Sequence, residues 1–132
     1  MGSQTSDDYK GVIIEESLAE KGVLELVRIA STRVSQVTER HRTPWLDWWT
    51  LHTVIVPADK AAVVAEKVSR SLDRGHDGSW YVDFRNNTWH YIIFLSKVFR
   101  VDIRNRDQYE AVRKYGRSLG IPEYQLDFTQ SD

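Results

Sequence analysis

Two periods of apolar and polar positions alternate along this chain, and each change of period marks an element. "KGVIIEESL" (10–18) is a short run rich in β-branched residues and predicts a strand. "AEKG" (19–22) can turn the chain into a second extended segment within 24–38, although the apolar positions at its start also fit a helix. Residues 39–47 read as a loop, and Trp49 to Val56, stopped by Pro57, reads as a strand. The period then lengthens. Ala61, Val64, Ala65, Val68 and Leu72 recur at helical spacing, so Asp59 to about Leu72 predicts a helix with one buried stripe. Its acidic start, Arg70 and Arg74 near its end, and Gly75 beyond suit the dipole and the stop.

The segment "SWYVDFRNNTWHYIIFLSKVFRVDI" (79–103) returns to period two and predicts a three-stranded meander with turns at Asn86-Asn87 and Ser96-Lys97. Two-residue turns there set Phe84 against Trp89, Asp83 against His90, Ile92 against Val101 and Tyr91 against Asp102. One face then carries Tyr81, Asp83, His90, Ile92, Phe94, Phe99 and Val101, and the other Trp80, Val82, Phe84, Trp89, Tyr91, Ile93, Arg100 and Asp102. A second helix follows, with Asn105 and Gln108 spaced as a capping box, Tyr109, Val112, Gly116 and Leu119 inward, and Gly120 and Pro122 at its end. Gly116 predicts a close approach to the sheet, and "EYQLDF" (123–128) reads as extended. These elements predict an α+β fold: a mostly antiparallel sheet of about five to six strands with two helices on one face, ferredoxin-like or related.

The aliphatic His90 face is expected to lie under both helices. The other face is then an aromatic platform that needs a cover from residues 12–38, a ligand or a partner. His52, Val54 and Val56 share one side of their strand; matching the two valines to the helix-covered side places His52 near Asp83 and His90.

Composition narrows the functional classes. The chain has 132 residues, 41% of them hydrophobic, as in a globular domain. Lys and Arg total 18 against 19 Asp and Glu, a balance that argues against nucleic acid as the partner. With no cysteine, thiolate chemistry, disulfides and Cys-ligated zinc are excluded. Residues 1–8, small and polar, read as a disordered lead or expression remnant before a single domain over 9–132. No apolar run reaches membrane-span length, and the cytoplasm is the expected compartment.

Two constellations carry candidate chemistry. An Asp83 carboxylate holding the His90 imidazole would fix its tautomer and raise its basicity, as a general base requires, with His52 assisting. The alternative is a structural hydrogen bond. No spacing specifies a metal, and nothing specifies a cofactor. The second constellation is a pocket walled by Trp45, Trp48, Trp80, Trp89 and Tyr91 with Arg100 as its polar anchor. It would make the chain a non-enzymatic module for a small molecule or protein partner, with a homodimer through that face as the nearest variant. The alternative is that the same rings form a second core.

"YKGVIIEESL" (9–18), "TPWL…WTLHTV" (43–54), "SWYVDF" (79–84), "KVFRVD" (97–102) and "YGRSLGIPEYQLDF" (115–128) resemble a family of small uncharacterised prokaryotic proteins. The resemblance runs from Tyr9 to Phe128 and implies a complete single-domain protein; it implies no activity, cofactor or catalytic residue.

Overall fold

β1 (Tyr9–Ile14) lies inside the sheet, antiparallel to β3 (Trp48–Val56) on one side and to β4 (Tyr81–Arg85) on the other. A computed structural model describes residues 7–36, 46, 48–73, 80–121, 125, 126 and 128. Completing the sheet are β2 (Arg28–Gln36), β5 (Trp89–Phe94) and β6 (Lys97–Asp102), in the order β2-β3-β1-β4-β5-β6, all antiparallel. The helices are α1 (Ala61–Ser71) and α2 (Arg106–Ser118). The α+β class and the antiparallel sheet are as the sequence predicts. The ambiguous start of 24–38 resolves into a 3-10 helix over Lys21–Leu26 followed by β2. Asp7 and Asp8 belong to the fold: Asn86 Nδ2 donates to the Asp7 carbonyl, and Asp8 accepts from the Ala58 amide. The rest of the expected lead, most of the 39–47 loop and much of the tail lie outside the described residues.

The meander forms with both turns displaced. Arg85 pairs with His90 rather than Thr88, and Phe94 with Lys97 rather than Phe99. The Asn86 side chain stabilises the first turn by accepting from the Thr88 and Trp89 amides. The second turn is Leu95-Ser96, with Ser96 at φ 62°. Each displacement is two residues, so every side chain keeps its predicted face.

Helix placement differs from expectation. α1 lays Ala61, Val64, Ala65, Val68 and Leu72 on Tyr9, Ile13, Val54, Val56, Phe84, Tyr91 and Ile93, which is the aromatic face. α2 covers the opposite face, with Tyr109 and Val112 on Ile92, Phe94 and Val101. The helices therefore lie on opposite faces, not on one. The reason is physical: β4 to β6 are apolar on both sides, and each side requires its own cover. Over β1 and β3 the His90 face has no helix among the described residues, and Lys10 and Val12 there are exposed and Thr53 and Ile55 half-buried.

Local sequence sets the helix ends. Asn105 Oδ1 accepts from the Gln108 amide, while Gln108 Oε1 reaches back to the Asp102 amide. At the other end the Ile121 amide donates to Gly116 and the Gly120 amide to Arg117, a Schellman pattern with Gly120 at φ +85°. Gly116 makes a close approach, but to the tail: a Cβ there would sit 2.6 Å from Leu126 Cδ2.

Gly11 is the tightest point of the sheet. A Cβ there would lie 2.1 Å from the Asp83 carbonyl oxygen and 2.7 Å from Phe84 Cα, backbone atoms that cannot step aside. No helix among the described residues is long and apolar enough to cross a membrane. We predict that Gly11→Ala destabilises by at least the upper end of the overpacking range, about 3 kcal/mol. Gly22→Ala, with nothing within 4 Å of the new Cβ, should stay within about 0.5 kcal/mol of wild type. Urea unfolding midpoints of the two variants check this, and equal midpoints would contradict it.

Candidate functional site

His90 sits on β5 at 1% exposure, beneath α2 and Phe128. Its Nε2 lies 2.6 Å from Asp83 Oδ2, and its Nδ1 lies 2.9 Å from the Tyr109 hydroxyl. Asp83 is two residues from the position directly opposite His90, yet the diagonal on one face brings them together. Tyr109, the first inward residue of α2, is the member that sequence reasoning missed as a partner; its place in the helical stripe disguised it as core. Burial raises the Tyr109 phenol above its ordinary value, partly offset by the neighbouring Arg85. With that proton held, every atom is satisfied when Tyr109 O–H donates to Nδ1 and Nε2–H donates to Asp83. Phe128 closes the assembly, with its ring 6.0 Å from His90 and 6.1 Å from Tyr109. Of the three polar groups only the Asp83 carboxylate reaches solvent, at 40% exposure.

His52 lies elsewhere. The ladder Gly11–Phe84 and Gly11–Val54 puts Val54, and so His52, on the aromatic face, opposite to Asp83 and His90. The expected His52–His90 proximity fails because β1 is inserted between β3 and β4 and its register sets which faces match. His52 has its own network instead. Nδ1 is 2.8 Å from Thr32 Oγ1 on β2, and Nε2 is 2.8 Å from Glu15 Oε1, whose other oxygen faces Lys21 at 3.5 Å. The bond to His52 is the main reason that the Glu15 carboxyl titrates below its ordinary value, with Lys21 adding to it. Next to it Glu16 takes the Thr50 amide and hydroxyl at 2.6 and 2.7 Å. Two carboxylates after β1 thus tie the end of that strand to β3.

The expected aromatic pocket is mostly core. Tyr91 and Trp80 are buried under the α1 side, and Tyr91 packs against Tyr9 and Phe84 at centroid distances of 5.3 and 5.5 Å. Trp89 remains half-buried with the Arg100 guanidinium 3.8 Å above its ring, a cation–π contact that occupies both groups. Trp48 stands apart at 54% exposure, and Trp45 lies outside the described residues. The cover left open at the sequence level is α1, with Leu18 and Val23 beside it.

What is bare is β2. Eight of its nine residues are exposed, and among the described residues none of its side chains joins either core. β6, at the other edge, has Val101 buried under α2 and Val98 packed on the α1 core. On one face of the β2–β3 ribbon Ile29, Val34 and Trp48 are 42%, 60% and 54% exposed. Val34 pairs with Thr50 and Gln36 with Trp48, which makes Val34 and Trp48 diagonal neighbours. Among the described residues no group of three or more acidic or histidine side chains could hold a metal ion.

Two outcomes follow from these networks. Tyr109→Phe strips the buried His90 Nδ1 of its partner and should cost about 1–3 kcal/mol; a change within 0.3 kcal/mol by urea unfolding would contradict the bond. Glu15→Ala should cost about 1 kcal/mol at neutral pH. Because the Glu15 carboxyl is lowered in the fold, its contribution is complete above the ordinary carboxylate range and is lost as pH falls through the depressed value. The penalty of the substitution should therefore shrink in acid, and a pH-independent penalty would contradict the account.

In comparisons with known proteins, no family model, no curated protein and no solved structure matches the chain.

Proposed function

We propose that the chain is a non-enzymatic protein-binding module whose docking element is the β2–β3 end of the sheet rather than the aromatic face. The observation that supports it is an edge strand of nine residues with apolar side chains in solvent, next to an exposed tryptophan. Exposed Val and Trp on a pre-formed strand suit partner recognition by strand addition, where the backbone supplies affinity and alternate side chains supply selectivity. Val34 and Trp48 are neighbours on one face, which separates them from an isolated exposed residue such as Val63 on α1.

The competing reading is a small enzyme with His90 as acid/base. A general base needs a lone pair directed at substrate. Both His90 nitrogens face protein groups, and the ring is closed in by Phe128. The arrangement favours a buried Asp–His–Tyr bridge from sheet to helix.

A photo-crosslinking residue placed at position 34 in the producing cell should give a discrete adduct. The same residue at position 63, which is 58% exposed, should give none, and Trp48→Ala should deplete the adduct at 34 at least fivefold. Equal adducts at 34 and 63, or none at 34, would count against the reading. An adduct of twice the chain mass would identify a second copy as the occupant.

A further inference from the structure

We infer that β2 receives an extended segment bearing acidic side chains at alternate positions; this rests on the strand-docking reading above. The register with β3 sorts β2 into two rows. Ile29, Thr32 and Val34 share the side of Val54 and His52, whereas Arg28, Ser31, Arg33 and Ser35 share the side of Ile55, Thr53 and Leu51. The edge is thus apolar on one face and cationic with hydroxyls on the other. No acidic residue lies within β2.

Arg28 and Arg33 are exposed, whereas several of the chain's other cations are already engaged. Lys21, Arg70, Arg104, Arg113 and Arg117 each face a carboxylate, and Arg100 and Lys97 each lie over a ring. Among the described residues, Arg28 and Arg33 have no carboxylate within ion-pair distance. An added strand places its own alternate side chains opposite them, where glutamates or aspartates complete both pairs and apolar residues meet Ile29 and Val34. A second copy of β2 would bring arginines and serines but no carboxylate to that row, and edge cations oppose such self-pairing. Charge complementarity therefore selects an acidic partner over another copy of this chain.

The edge is pre-formed. Eight residues of β2 pair with β3, and the Thr32–His52 bond fixes its middle, so the partner alone bears the ordering cost.

Two capped nine-residue peptides supply the test. Both alternate Val or Thr with a charged residue, Glu in one and Lys in the other, and both are titrated into isotope-labelled protein at low and raised salt. The Glu peptide should bind at least tenfold tighter than the Lys peptide at low salt, with amide shifts centred on residues 28–36. Raised salt should shrink that margin. Arg28→Glu with Arg33→Glu should reverse the preference; both sites are exposed, and a thermal melt confirms the fold. Equal binding of the two peptides, shifts away from β2, or no binding of either overturns the inference. Equal binding that still maps to β2 and is lost in Val34→Pro overturns the charge selection alone. The strand-docking reading fails separately, on the crosslinking at position 34.

Discussion

The meander β4–β5–β6 is apolar on both sides, and among the described residues each side has its own helix to cover it. That constraint organises the molecule. α1 seals the Tyr91 side, while α2 with Leu126 and Phe128 seals the His90 side. α1 packs on β1, β3, β4 and β5 and α2 on β5 and β6, and among the described residues no β2 side chain joins either core. The bare edge is the geometric remainder of a fold that needs one helix per face.

Two histidines join the parts of this arrangement. His90 bridges sheet and helix, taking Asp83 on one nitrogen and Tyr109 on the other. A polar bridge of this kind inside an apolar layer fixes how α2 sits, because any rotation of the helix would leave a buried nitrogen without its bond. His52 does the corresponding work at the β2 end by connecting Thr32 to Glu15. The Asp83–His90 pair resembles a catalytic constellation in sequence because the same chemistry, a carboxylate orienting an imidazole, serves structure and catalysis alike. What separates the two uses is a nitrogen left open to a substrate.

The local parts of the fold were legible in the residues. The α1 stripe, the Asn105 cap and the two faces of the meander follow from period and parity, and parity survived a two-residue error in each turn. The long-range parts were not legible. Nothing near Tyr9–Ile14 signals that it separates β3 from β4, and that single insertion decides which face His52 shares. Both faces of the meander are rich in apolar residues, so composition could not assign either helix. Tyr109 read as core because it is core, with a hydroxyl that the helical pattern does not reveal. Gly116 pointed to a close approach, and only the packed tail shows that Leu126 makes it.

An uncovered, pre-formed β2 is the centre of this account, and amide hydrogen exchange along Arg28–Gln36 tests it most directly. A strand paired on one side only should show alternation. Amides directed at β3 should be protected, and those directed outward should exchange within the dead time of the experiment. Uniform protection along the strand would mean that something already covers the edge, and uniformly fast exchange would mean that the strand is not formed. Either result would contradict the account.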